Sequence, residues 1–199
     1  LDKCDMTLDE YLRRTMITPV NIVIFKSILF HVVYTIYAIA NIYPGFRHYD
    51  LHTENVMLKF DPAYKFRVTD TKFFVYTIDS VRYCVPYFGI IPKIIDFGFS
   101  AIPERGVISN ATQDRVQMYL RSENDLLFLF YWIRDAVYAS GNDRIEAVDK
   151  ILYALEPNKT YMHYNTEYIR KLGNKIPTYE QLVKNKVWKE YTRHKLEAS

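Results

Sequence analysis

The sequence predicts an α+β domain, mainly α: a helical bundle carrying a small β-hairpin region that is extended by an insertion. Three observations carry this expectation. Ile22, Phe25, Ile28, Leu29, Val32, Val33 and Ile36 recur at helical spacing along one strongly apolar stretch. The run 126–133, Leu-Leu-Phe-Leu-Phe-Tyr-Trp-Ile, is apolar on every side, so its helix needs protein all around it and belongs at the centre of the bundle. Between them, over 56–95, the pattern turns extended. With 199 residues and 49% hydrophobic content, the chain builds one sizeable core. It reads as a single unit over 1–199, with 61–92 as an inserted hairpin region.

The elements follow in order. Thr7, with Glu10 three positions later, forms a capping box that opens a short helix through Leu8, Tyr11 and Leu12. Pro19 suits the first turn of the long apolar helix, which stops near Pro44-Gly45. Strands are expected over 56–58, 73–76, 81–85 and 93–95. Asp79-Ser80 turns the middle pair, and Gly89 and Pro92 break the chain before the last strand. A loop rich in Pro, Gly, Ser, Asn and charge runs from Gly98 to about Gln113. Helices are then expected over 124–139, 143–155 and 178 to about 195, the last one starting at Pro177-Thr178.

Bulk properties exclude several classes. The net charge of +3 comes with no dense basic block. The scatter of Lys184, Lys186, Lys189, Arg193 and Lys195 reads as a solvated helix face, and no nucleic-acid partner is expected. Cys4 and Cys84 lack metal-ligand or disulfide-framework spacing, which fits a reducing compartment and a cytoplasmic setting. The 18 tyrosines read mainly as half-buried packing residues. The apolar stretch 22–43 is nearly long enough to span a bilayer, but it contains Lys26, His31 and Asn41. It is expected to be a buried helix, with no membrane partner and no secretory signal.

Two motifs carry chemistry. The first is His48-Tyr49-Asp50-Leu51-His52-Thr53-Glu54-Asn55; the second is Ile94-Ile95-Asp96-Phe97-Gly98. Asp50 is suited to accept the proton of an attacking hydroxyl and to orient it. Asn55 offers an amide oxygen to a metal, and Asp96 sits at the end of an apolar strand beside Gly98, which allows a sharp turn. Hard oxygen donors, few in number, suit magnesium.

In order and spacing these motifs resemble the catalytic loop and metal-binding turn of protein kinases. The resemblance extends over nearly the whole chain, but only to the C-terminal lobe of that family. It implies ATP and Mg2+ as cofactors, with Asp50 and His52 at the reacting centre and Asn55 and Asp96 on the metal. Met57 would floor the adenine pocket, and Ile95 would line it. His48, Phe97 and Gly98 would give structural support, and Asp125 would hold the catalytic-loop backbone from below. The chain begins at Leu1 and is expected to be a partial reading frame, with the N-lobe that roofs the nucleotide site elsewhere in the full-length protein. Its wording is similar to kinase-like proteins of large DNA viruses, which would put it in the host cytoplasm.

Departures from the family pattern matter as well. Tyr49 replaces an Arg that in many kinases pairs with a phosphorylated loop, and a phenol cannot replace a bidentate cation. His52 stands where Ser/Thr kinases usually have Lys; it either hydrogen-bonds phosphate or substrate, or packs the loop. The Asp-Leu-His-x-x-Asn wording also resembles haspin-like and aminoglycoside or choline phosphotransferase-like loops. The Ala-Pro-Glu expected between Gly98 and Asp125 is absent. The leading expectation is phosphoryl transfer to a protein Ser/Thr hydroxyl, with a protein substrate as partner. Alternatives are a small-molecule phosphotransferase and a non-catalytic pseudokinase or scaffold. The inserted hairpin would offer a docking surface if Phe73, Phe74, Tyr76 and Tyr83 were exposed.

Overall fold

The computed structural model describes residues 3–14, 19–65, 72–106, 124–141, 145–162, 171–172 and 175–193. Its helices are α1 (Leu8–Arg14), α2 (Pro19–Ile42), α3 (Asn124–Ala139), α4 (Ile145–Leu155) and α5 (Tyr179–Val183). Its strands are β1 (Met6–Thr7), β2 (Val56–Phe60), β3 (Phe73–Ile78), β4 (Val81–Pro86), β5 (Ile90–Ile94) and β6 (Thr192–Arg193). They form two antiparallel sheets, ordered β1-β2-β5 and β3-β4-β6.

The capping box expected for α1 is present: Glu10 N–H donates to Thr7 Oγ1 at 3.0 Å, and Thr7 N–H donates to Glu10 Oε2 at 3.1 Å. Helix α2 buries Phe25, Ile28, Leu29, Val32, Val33 and Ile36 on the face that the spacing predicts. Residues 21–42 have the length and composition of a bilayer-crossing helix, and here half of that apolar window is buried inside the fold. Its polar side chains are accommodated: Lys26 pairs with Glu190, and His31 is hydrogen-bonded to the Tyr76 hydroxyl. Burial pulls the His31 imidazole down to about 4, so this ring stays neutral across the physiological range. In α3, Leu126, Leu127, Leu129, Phe130, Ile133, Ala136 and Val137 are buried, whereas Phe128, Tyr131 and Trp132 of the apolar run are half-buried, so the helix is not enclosed on every side.

Three expectations change. Pro92 lies within β5 opposite Leu58 instead of breaking the chain before it. Strand β5 is an edge of its sheet, where a residue without an N–H is tolerated. The helix expected over 178 to about 195 is, within the described residues, three pieces: α5, a 3-10 stretch (Lys186–Tyr191) and β6. Asn185 interrupts it, its side chain accepting Val187 N–H at 2.9 Å, and the break lets Trp188 enter the core and donate Nε1–H to Leu182 O at 2.9 Å. Helix α5 opens on a full capping box at Thr178. Thr178→Ala is expected to cost about 1 kcal/mol, read as a lower urea midpoint at unchanged slope.

The third change concerns the inserted hairpin. Asp79 and Ser80 do form its turn, both with positive φ (46° and 66°), the geometry of a two-residue hairpin loop matched to strand twist. Ile78, Tyr83 and Val85 nonetheless belong to the main core, and the Phe30 ring packs against Tyr76, Tyr83, Trp188 and Tyr191 at 5.3–5.6 Å. Tyr83 is buried, Phe74 and Tyr76 are half-buried, and Phe73 is exposed. The hairpin is therefore a wall of the core, and a docking role resting on Tyr76 and Tyr83 loses those two residues.

Candidate active site

The segment between α2 and β2 is held by backbone and carboxylate bonds from three elements. Arg47 exchanges both backbone hydrogen bonds with Ala101, at 3.0 and 2.9 Å, which ties this segment to the chain after the Asp96 turn. From the first turn of α3, Asp125 reaches beneath the loop: Oδ2 accepts His48 N–H at 2.8 Å and Oδ1 accepts Tyr49 N–H at 3.0 Å. Tyr179 Oη donates to Oδ2 at 3.4 Å. The carboxylate is fully buried, and burial raises it to about 6 even though these donors and the Arg47 charge pull it back. Tyr49 is held at φ 63°, a conformation that a bulky residue adopts only when its surroundings impose it. Asp125 thus ties the backbone of the loop to the first turn of α3.

His48 is completely buried; Nε2 donates to Ile95 O at 3.0 Å, and Nδ1 has no hydrogen-bond partner. Burial lowers its affinity for a second proton, against the pull of the Ile95 carbonyl and the nearby carboxylates, so the ring is neutral. Phe97 packs against it, ring centroids 5.1 Å apart, and the Phe46 ring lies 6.5 Å from that of Phe97. Through these contacts His48 joins the loop to the Asp96 turn.

Beyond Leu51, which is buried, a 3-10 turn (Thr53–Asn55) delivers Asn55. Asn55 Nδ2 donates to Asp50 O at 2.8 Å and lies 3.5 Å from Asp50 Oδ2. With the amide nitrogen so engaged, Oδ1 is the donor atom left for a cation. Ile95 N–H donates to Asn55 O at 3.0 Å, extending the β2–β5 ladder by one step, so that Asp96 follows directly on the residue opposite Asn55. Asp96 is exposed, and its Oδ1 accepts Gly98 N–H at 3.3 Å. The donor set is two hard oxygens, one neutral and one anionic, which fits magnesium's preference for few protein ligands. Among the described residues no three His, Cys, Asp or Glu side chains gather as a metal cage.

The sharp turn expected at Gly98 is made by Asp96 instead. Asp96 takes φ 57° and ψ 69°, and Gly98 has ordinary φ. Asp tolerates this region because its short side chain bonds locally, here to Gly98 N–H. Met57 is half-buried opposite Lys93, and Ile95, two residues beyond Lys93, is 37% exposed. By strand alternation these three share the sheet face that Val56 and Leu58, both buried, turn away from. Met57 and Ile95, expected to line one pocket, therefore stand on one surface.

His52 sits among these groups. Nε2 is 3.7 Å from Asp50 Oδ2 and 3.1 Å from Asn55 Nδ2, and Nδ1 accepts Glu54 N–H at 3.3 Å. Both ring nitrogens lie within hydrogen-bonding distance of loop groups. Residues 107–123, which hold most of the span where the family pattern puts a peptide-docking motif, lie outside the described residues. Three contributors to the site carry no mark of that role in the sequence. Tyr179 reaches Asp125, Thr53 is buried beneath the turn, and Asp9 accepts from it. Of these, only Thr53 lies within one of the two motifs.

Over 99 residues, half of this chain, the sequence is 30% identical to a putative serine/threonine-protein kinase of Acanthamoeba polyphaga mimivirus. The match spans 22% of that viral protein, so this chain corresponds to a small part of it. No family model matches the sequence. No solved structure matches it. The similarity supports a kinase-like relationship.

Proposed function

We propose that this chain forms the metal-and-acceptor half of a kinase-like site, built as the C-lobe of that fold, which transfers phosphate from ATP to a protein Ser/Thr hydroxyl. The observation that carries this reading is the convergence of Asp50, Asn55 and Asp96. A buried carboxylate holds the two N–H groups just before Asp50, the Asn55 amide bonds the Asp50 carbonyl, and the β2–β5 ladder sets Asp96 one residue past the position opposite Asn55. The kinase named in the mimivirus relative supports the same reaction class. Magnesium–ATP, held at Asn55 Oδ1 and Asp96, would supply the phosphoryl group and neutralise its charge. Asp50 would orient the acceptor hydroxyl and take its proton, and His48 with Phe97 would keep the Asp96 turn in register with the loop. His52 beside Asp50 and Asn55 favours a second reading, a small-molecule acceptor.

Metal binding tests the assignment. Asp96→Asn keeps a residue that tolerates positive φ and removes the charge. In the full-length protein, Mn2+ binding in the presence of ATP is expected to weaken at least about tenfold with unchanged melting. Equal affinity in the variant and the wild type would remove Asp96 from the metal site and leave the scaffold reading.

A further inference from the structure

The turn that delivers Asn55 is held from behind by side chains that the proposed transfer chemistry does not use. Thr53, its first residue, is completely buried, and Oγ1 donates to Asp9 Oδ1 at 3.0 Å. The other oxygen of Asp9 accepts Arg13 Nε–H at 2.6 Å, and Arg13 Nη2 lies 3.8 Å from Asp135 Oδ2 on α3. The two oxygens of Asp9 thus have separate duties, one toward the turn and one toward the guanidinium that holds the carboxylate in place.

The geometry passes directly to the metal-facing amide. Thr53 and Asn55 open and close the same three-residue turn, so the direction of the Thr53 hydroxyl sets the orientation of the turn. Asn55 N–H donates to His52 O at 3.0 Å, and Asn55 O accepts from Ile95, which leaves its backbone no slack of its own. A buried hydroxyl with one proton to donate has a strong preference for its one carboxylate acceptor.

We propose that Asp9 and Thr53 are positioning residues for the Asn55 amide oxygen, so that helix α1 sets how tightly the site holds a divalent cation. The inference rests on the metal-binding reading of Asn55 and Asp96 given above. Outer-shell groups that orient a ligand act on affinity through the ligand and touch the ion nowhere.

The test uses the full-length protein, with free Mn2+ measured by electron paramagnetic resonance in the presence of ATP. Thr53→Val, which keeps the shape and removes the hydroxyl, is expected to weaken Mn2+ binding about tenfold, and Thr53→Ser to restore it to within about twofold. Asp9→Asn, which keeps one acceptor oxygen, is expected to weaken it about threefold, and it carries the test if Thr53→Val does not fold. A purely structural role would lower the melting temperature of these variants and leave Mn2+ affinity unchanged. Wild-type affinity in folded Thr53→Val or Asp9→Asn, with affinity lost in Asp96→Asn, overturns the positioning role and leaves the metal site standing. Wild-type affinity in Asp96→Asn as well overturns the metal reading and this inference with it.

Discussion

Asp50→Asn in the full-length protein is expected to lower phosphoryl transfer about a thousandfold while leaving the melting temperature unchanged, because a positioned general base contributes roughly 10²–10⁴ in rate. The substitution keeps the shape of the side chain and removes its capacity to take a proton. The loop around it is held by groups other than the Asp50 carboxylate. Asp125 binds the two preceding N–H groups, and Asn55 bonds the Asp50 carbonyl. The loss should therefore fall on rate and spare both folding and Mn2+ binding. Labelled ATP offered with peptide and small-molecule acceptors side by side measures it, and also separates the two acceptor classes. Transfer at the wild-type rate in Asp50→Asn would end the base assignment, and no transfer to either acceptor by wild type would favour the scaffold.

The second large effect is on stability. Asp125→Ala leaves two buried N–H groups and the Tyr179 hydroxyl without their acceptor, with an expected cost of about 4 kcal/mol in urea unfolding. Asp125→Asn exposes the pH dependence of the same group. Burial raises the folded carboxyl to about 6, above its ordinary value of 3.8. Between those values the folded chain holds a proton that the unfolded chain has released. The stability linked to that proton is fully present below about pH 4 and is lost as pH rises through 6, a change of about 3 kcal/mol. The wild-type advantage over Asp125→Asn should therefore be largest at pH 4 and below and shrink toward pH 7. An advantage that grows with pH would show that hydrogen bonding, and not burial, governs this carboxyl.

Much of the site is legible in the sequence because it is written in local terms. Asp50 and Asn55 are five positions apart in one motif, and the Asp96 turn follows an apolar strand. Such spacings encode chemistry directly, since the backbone between the groups is short. The helices 19–42 and 124–139 are legible for a related reason: a long run of apolar residues at one period leaves few alternatives. The break in the last segment is not, because a lone Asn can cap a helix or sit on its exposed face, and Asn185 caps here where Trp188 has a core to enter.

By itself, then, the sequence determined the helices and strands that alternate or repeat cleanly, the α1 capping box, the Asp79-Ser80 turn and the residue types of the candidate site. Tertiary structure decided which of Asp96 and Gly98 bends the chain, that the inserted hairpin closes the core around Phe30, and that Thr53 is tied to Asp9 across 44 positions. The physical reason is common to all three. A side chain's partner and a backbone's strain depend on what lies nearby in space, and residues far apart in sequence acquire those neighbours only when the core forms.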